Sequence, residues 1–349
     1  MRALVAMSGG VDSSVAAARL KQGGHEVTGV TLKLWQGPNG EAPTAGCCTV
    51  SDAEDARRVA AQLDIPYYVL DYTEDFAQGV VDRFLSDYVS GRTPNPCIEC
   101  NRTVKFDRLV EQMEQFECEV LVTGHYARTR HRDGSWRLLR GVDPSKDQSY
   151  VLSMLSQGQL EKVRFPVGEI DKTETRRIAS ELGLRTATKP DSQDICFVGS
   201  GDYRSFIRSQ APEVERPGPI VEKDGSVVGQ HRGIVDVTIG QRRGLDVSVG
   251  EPRYVTEIRS ASNTVVVGRR DDLATRSVTL SEITTTSGLP LGDGPVLAQY
   301  RAHGDAVPAE IRSNGRRTLE FSEPQLAVAP GQTVAFYDGD EVLGGAIIG

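Results

Sequence analysis

The chain has 349 residues, of which 38% are hydrophobic and 25% charged, and its net charge is −8. This balance excludes a disordered chain, and no apolar run approaches the roughly 20 residues of a membrane helix. The acidic net charge argues against indiscriminate nucleic-acid binding, so an RNA partner would have to meet local basic strips. Residues 1–208 carry −3, residues 209–276 carry 0 and residues 277–349 carry −5. The chain opens directly on an apolar run, so no leader is expected and the cytoplasm is the expected location. In that reducing compartment, six cysteines point to catalysis or metal binding before structural disulfides.

Residues 3–6 read as a buried strand and residues 15–22 as an alanine-rich helix stopped by Gly23 and Gly24. Between them lie Ala6, Met7, Ser8, Gly9, Gly10, Val11, Asp12, Ser13 and Ser14. Glycines let a backbone come close to a ligand, and the following helix N-terminus offers unpaired N–H groups to an anion. The pattern is a phosphate cradle, but not a Walker A loop, because the lysine of G-x-x-x-x-G-K-[ST] is missing. Asp12 is placed either to organise the phosphate region or to cap the helix.

Residues 26–35 read as a second strand and residues 37–46 as a Pro/Gly-rich loop. A helix is expected from Ser51, with Ser51 and Glu54 spaced as a capping box. Residues 67–70 read as a strand, and Phe76, Val80, Phe84 and Tyr88 recur at helical spacing. Residues 91–96 make a turn-rich loop that takes in Cys97 and Cys100, followed by a helix over 102–115 and a strand over 119–123 ending at Gly124-His125. This alternation predicts a parallel α/β sheet with its ligand at the strand C-termini. His125, directly after a strand end, is either a site residue or a satisfied core histidine. Asp171 caps a further helix that ends at Gly183. Beyond about residue 210 the chain turns rich in Val, Thr, Gly and Pro, which reads as one or two small β domains.

The cysteines form a constellation. Cys97-Ile98-Glu99-Cys100 is a C-x-x-C pair, Cys196 lies in Lys189-Pro190-Asp191-Ser192-Gln193-Asp194-Ile195-Cys196-Phe197, and Cys47, Cys48 and Cys118 complete the set. Such a pair can be redox-active, a zinc half-site with His125 as a further ligand, or an iron–sulfur half-site. Arg128, Arg130, Arg132, Arg137 and Arg140 form the best basic strip for RNA phosphates, unless it is a solvated hairpin face; Arg232, Arg242 and Arg243 form a second.

The stretch Ser8-Gly9-Gly10-Val11-Asp12-Ser13-Ser14 resembles the signature of the ATP pyrophosphatase (PP-loop) superfamily. The chain as a whole resembles the bacterial-type tRNA-specific 2-thiouridylases. The resemblance rests on that loop, Leu32-Lys33-Leu34-Trp35, residues 91–96 with Cys100-Asn101, Gly124-His125-Tyr126-Ala127, Lys146-Asp147-Gln148-Ser149-Tyr150 and the Cys196 segment. Residues 238–242, Gly244-Leu245, Gly331-Gln332 and Tyr337-Asp338-Gly339 extend it over nearly the whole chain.

The resemblance implies an α/β fold: a parallel-sheet PP-loop (adenine nucleotide alpha hydrolase-like) domain at 1–208, a small central domain at 209–276 and a C-terminal β-barrel at 277–349. It implies ATP and Mg²⁺ as cofactors and ATP contacts at Ala6, Met7, Ser8, Gly9, Gly10, Val11, Asp12, Ser13, Leu32 and Gly124. It implies Cys100 as nucleophile, Cys196 as the persulfide-bearing cysteine, and tRNA contacts at His125, Lys146, Asp147, Gln148, Gln299, Tyr300 and Gln332. Gln299 stands where the family usually has arginine, and Cys97 where many members have aspartate. Members with the trio Cys97, Cys100 and Cys196 resemble binders of a 4Fe–4S cluster. The implied partners are tRNA and a sulfur donor or relay protein, with no membrane. Two other readings are a PP-loop ligase acting on a small molecule, which leaves the cysteines idle, and a redox- or metal-sensing RNA binder, which leaves the loop unexplained.

Overall fold

The computed structural model describes residues 1–37, 49–191, 195–198, 202–313 and 315–349. Cys47, Cys48 and the Ser192–Asp194 part of the Cys196 segment lie outside the described residues.

The first sheet is parallel and five-stranded, in the order Tyr67–Asp71, Glu26–Lys33, Arg2–Ala6, Val120–Val122 and Val163–Arg164. Its central strand is apolar at successive positions because both faces are covered. Ala3 and Val5 point to one side, with Val15, Ala16, Val59 and Ala60 of two helices. Leu4 points to the other, with Val30, Phe76, Phe84, Leu109 and Leu121. The helix expected from the spacing of Phe76, Val80, Phe84 and Tyr88 spans 73–89 with a π segment at Ala77–Val81, and all four side chains are buried.

Two local readings are corrected. The helix Val50–Gln62 starts one residue earlier than expected, and its capping box is Thr49 with Asp52. Thr49 Oγ1 accepts from the Asp52 N–H (3.1 Å) and Asp52 accepts from the Thr49 N–H (2.9 Å). Both residue pairs have the same three-residue spacing, so spacing alone does not separate them. More consequentially, Cys97 and Cys100 are not in a loop. Asn95 is an N-cap, accepting from the N–H groups of Cys97 (3.2 Å) and Ile98 (3.4 Å), and Pro96 is the first helical residue. Asn-Pro reads as a turn, but the same pair is a strong helix start. The helix then runs through a π segment, Cys100–Phe106, into Asp107–Gln115.

A four-stranded sheet, in the order Tyr254–Arg259, Thr264–Gly268, Gly218–Glu222 and Val227–His231, builds the central part around Ile220, Val255, Val265 and Val267. Six C-terminal strands close into a barrel: pairing of Ala274–Thr285 with Glu341–Ile348 joins the ends. The hairpin Ala127–Arg132/Ser135–Arg140 is not a free arm of the first domain. It extends the barrel sheet, with Leu138 and Leu139 paired to Val342 and Glu341. Among the described residues no helix is long and apolar enough to cross a membrane.

Candidate active site

The loop after the first strand is held from beneath. The Met7 N–H donates to Val30 O (2.7 Å) and Thr31 Oγ1 donates to Met7 O (2.5 Å). Gly9 has φ +69°, and a Cβ there would lie 2.1 Å from the Asp52 carbonyl oxygen, so only glycine fits. Ser13 Oγ accepts from the Ser8 N–H (3.1 Å), and the Ser13 and Ser14 hydroxyls donate to Gly10 O (3.3 and 2.8 Å). Gly10 is the N-cap of helix Val11–Gln22 and no side chain caps it, so the first N–H groups face the loop opening. Gly124 closes the other wall: a Cβ there would lie 2.5 Å from Ser13 N. Ser8 is exposed, while Met7 and Val11 turn their side chains into the core and line the loop by backbone alone. Leu32 is buried on the adjacent strand and Ala6 half-buried at the end of its own.

Asp12 does not cap the helix. Its carboxylate accepts from Lys172 Nζ (2.7 and 2.9 Å) and from the Tyr126 hydroxyl (2.8 Å). Burial, with Asp12 alongside, pushes the Tyr126 phenol far above its ordinary range, so it stays a donor. Lys172 also pairs with Asp191 (2.8 Å), which takes Lys146 (2.8 Å) and Arg176 (3.2 Å) as well. Burial pushes the Asp191 carboxyl up, but Lys146 and Lys172 outweigh it and hold it at about 2. On the opposite side Lys189 Nζ donates to Gly9 O (3.0 Å), Asp52 (2.7 Å) and Asp55 (2.8 Å). Burial alone would lower the Lys189 ammonium, but its two carboxylates raise it. Two lysines thus flank a loop that has none of its own. Sequence reasoning missed both; the signal was the absent Walker lysine, which obliges the charge to come from elsewhere in the chain.

The thiols lie on the other side of the sheet ends. Cys97 is exposed in the first helical turn, and Cys100 is 5% exposed at the start of the π segment. Cys196 is half-buried against the same apolar cluster that contains Cys100. Its neighbour Phe197 anchors that stretch, edge-on to Phe84 (5.1 Å) and Phe76 (5.6 Å) and beside Trp35 (6.1 Å). Among the described residues no three His, Cys, Asp or Glu side chains are gathered as a metal site.

The remaining expected contacts fall in two groups. His125 Nδ1 lies 2.7 Å from Thr123 Oγ1, with its ring between Phe106 and Phe165. Gln148 is exposed and accepts from the Tyr126 N–H (2.9 Å), which puts the 146–148 segment beside the loop. The Asp147 carboxylate, by contrast, is turned inward and saturated by Arg140, the N–H groups of Gly141 and Ser149, and the Ser149 hydroxyl. Gln299 is 6% exposed and donates to Arg301 O and Ala302 O. The Tyr300 hydroxyl donates to Gln325 (3.1 Å), and Gln332 Nε2 donates to Thr93 O (2.9 Å) in the loop before the cysteine helix.

The hairpin arginines differ from the expected open strip. Arg128 pairs with Asp340, Arg130 with Glu169, Arg132 with Asp133, Arg137 with Glu341 and Arg140 with Asp147. Arg140 also stacks on Tyr337, 3.7 Å from the ring centre. Asp133 lies in the hairpin turn and Asp147 just beyond it, but Asp340, Glu341 and Glu169 come from the barrel and a later segment, so the hairpin sequence alone shows mostly the positive half. Arg232, Arg242 and Arg243 are exposed and make no ion pair among the described residues.

Comparison with known proteins accounts for all three parts. The family model described as tRNA methyl transferase HUP domain matches residues 1–200, that described as tRNA methyl transferase PRC-barrel domain matches 204–269, and that described as aminomethyltransferase beta-barrel domain matches 275–348. The tRNA-specific 2-thiouridylase MnmA of Roseiflexus sp. (strain RS-1) is 48% identical, covering 99% of this chain and 98% of the relative. Proteins of the same name from Herpetosiphon aurantiacus (46%, covering 99% and 97%) and Clostridium perfringens (44%, covering 99% and 98%) are similar over the same span. Identity at this level over essentially the whole of both chains leaves no segment unaccounted for: the chain belongs to the tRNA-specific 2-thiouridylase family.

Proposed function

We propose that this chain uses ATP to replace the C2 oxygen of the tRNA wobble uridine by sulfur, giving 2-thiouridine, AMP and pyrophosphate. The observation that carries this is a lysine-flanked phosphate loop after the first strand of a parallel sheet whose other face packs a cysteine-bearing helix. The C2 oxygen attacks the α-phosphorus and the bond to the β-phosphate oxygen breaks. Pyrophosphate then leaves into the N–H groups at residues 9–13, with Lys172 and Lys189 exchanging their carboxylates for phosphate oxygens. Asp12 is a hard oxygen donor that fits Mg²⁺, which would neutralise phosphate charge.

Adenylation makes the C2 oxygen a leaving group. The terminal sulfur of a persulfide on Cys196 attacks C2. The Cys100 thiolate then attacks the inner sulfur, the S–S bond breaks, and AMP departs as the thiocarbonyl forms. A Cys100–Cys196 disulfide remains for an external thiol to reduce. Cys97, Cys100 and Cys196 suit a 4Fe–4S cluster by donor chemistry, although among the described residues they are not gathered as a metal site; were they to hold one, it would supply the sulfur ligand and Cys100 would be a ligand instead of the resolving thiol.

With ATP, Mg²⁺, tRNA and a sulfur donor, the full chain is expected to form 2-thiouridine and AMP, and Cys100→Ser is expected to form AMP alone. Undiminished thiolation by Cys100→Ser would refute the assignment. Iron content of anaerobically purified protein separates the two sulfur routes. About four irons per chain, lost in Cys97→Ser, assigns the cluster, and full activity without iron assigns the persulfide.

For tRNA, the reading is three working units at 1–208, 209–276 and 277–349, acting in the cytoplasm, with contacts at His125, Lys146, Asp147, Gln148, Gln299, Tyr300 and Gln332 and a sulfur-donor protein as second partner. Asp147 and Gln299 would act by holding the 146–148 segment and the barrel rim rather than by touching RNA themselves. Arg232, Arg242 and Arg243, which make no ion pair among the described residues, are the better phosphate strip. Reversing their charges is expected to weaken tRNA binding about 10- to 100-fold and flatten its salt dependence. The same change at Arg128, Arg130 and Arg132 should do less, because those charges are already neutralised. A gel-shift series in salt in which the hairpin variant is the weaker binder would reverse the ranking.

A further inference from the structure

The barrel strand Ala274–Thr285 is irregular where it passes the cysteine helix. Its pairing with Glu341–Ile348 slips in register between Ser281 and Thr284, and between them Glu282 adopts φ +47°. A non-glycine residue in the left-handed region is strained, and a bulge re-aims a side chain out of the ladder. The Glu282 carboxylate accepts from Arg83 Nη1 (3.0 Å), from Arg83 Nη2, and from Arg102 Nη2 (3.1 Å). Arg102 also donates to both oxygens of Glu99 (2.8 and 3.1 Å), and Arg83 lies 3.6 Å from Glu99. Glu99 is 8% exposed and sits between Cys97 and Cys100. The same helix is entered through a loop that the barrel holds independently: the Thr93 N–H donates to Pro330 O (2.8 Å), and Gln332 donates to Thr93 O (2.9 Å).

We propose that Glu282 is a positioning residue for sulfur transfer: through Arg83 and Arg102 the barrel clamps Glu99 and so fixes the turn that carries the two cysteines. The clamp rests on the sulfur-transfer reading of this helix. The need for it follows from the π segment that starts at Cys100. A helix whose regular ladder is interrupted holds its side chains less firmly by its own bonds, and π turns recur at functional sites. Sulfur transfer requires the reacting atoms aligned to a fraction of an ångström. Arg83, Arg102, Glu99 and Glu282 sum to zero charge, so the clamp adds no net field at the thiols. Were the contact only a surface ion pair it would add little, and glycine or asparagine would fill the left-handed position without strain.

The test uses the full chain as Glu282→Gln and Glu282→Asn; asparagine tolerates the left-handed turn, so that variant keeps the fold. AMP and 2-thiouridine formed per tRNA are measured together, with hydrogen exchange followed over residues 96–106 and 11–22. The expected result is thiolation down about ten-fold with AMP release and the KM values for ATP and tRNA within about two-fold, so that the AMP-to-thiouridine ratio rises about ten-fold. Exchange should quicken in 96–106 and stay unchanged in 11–22. Equal losses of AMP and thiouridine, an unchanged ratio, or unchanged exchange in 96–106 would overturn the clamp. A wild-type chain that makes no thiouridine would instead overturn the sulfur-transfer reading, while the exchange comparison would still decide the clamp.

Discussion

Lys172→Met is expected to slow pyrophosphate release about 10²- to 10³-fold while leaving AMP affinity within about three-fold of the wild type, a loss of the size seen when one group stabilising developing charge is removed. The asymmetry between nucleotides is what identifies the role. Lys172 reaches the loop from a helix that starts at Asp171, and its ammonium meets Asp12 and Asp191. In the proposed reaction a cation at that end of the loop would face the departing β- and γ-phosphates and so would discriminate ATP and pyrophosphate from AMP. Methionine keeps most of the side-chain volume and removes the charge. Removal leaves Asp12 with the Tyr126 hydroxyl alone, while Asp191 keeps Lys146 and Arg176; both carboxylates are partly exposed, so the loss in stability should stay below the roughly 3–5 kcal/mol of a fully buried pair. Lys172→Arg is the control: it keeps the charge and the fold but changes the donor geometry, and should recover part of the ATP preference. Equilibrium binding of ATP, pyrophosphate and AMP to all three proteins, alongside their Tm values, measures this. If ATP and AMP affinities fall together, Lys172 holds the site's shape and not the phosphates.

That lysine also marks where sequence reading stopped. The loop itself was legible because strand, glycines, serines and helix are contiguous, and each works through its own backbone. The apolar periodicity of residues 76–88 was legible for the same reason. Contacts made across the chain were not. Lys172 meets Asp12 across 160 positions and Lys189 meets Gly9 across 180. Two of the hairpin arginines, Arg128 and Arg137, looked free for RNA because their partners Asp340 and Glu341 lie more than 200 positions away. Asn95-Pro96 carried two opposite local meanings, a turn or a helix start, and only the packing of the following apolar face chose between them. Asp147 and Gln299 matched family positions, yet the sequence could not say that both turn inward. The family resemblance supplied which residues to expect at the site; the structure supplied what each one touches.

Gly124→Ala is expected to cut ATP affinity and AMP formation at least about 100-fold, the penalty of displacing reacting groups by roughly an ångström. The added methyl carbon would lie 2.5 Å from Ser13 N, 2.8 Å from the Asp12 carbonyl carbon and 2.9 Å from Ser13 Cα. All three are backbone atoms of the first turn of the phosphate helix, so no flexible side chain can yield. Either the strand end at Val120–Val122 or the helix N-terminus must move, and both are fixed by sheet pairing and core packing. The helix N-terminus has the lesser hold, because no side chain caps it. The displaced groups would therefore be the N–H donors of the cradle. Gly158→Ala gives the contrast: nothing lies within 4 Å of a Cβ there, and it sits inside a short helix, where alanine should stabilise by up to about 1 kcal/mol. Cysteine accessibility to alkylation should be the same in both variants, since the thiol helix is held by the barrel and not by the phosphate loop. ATP binding that survives Gly124→Ala would mean that the nucleotide does not sit between Gly124 and the helix N-terminus, and the loop assignment would have to be redrawn around Gly9 alone.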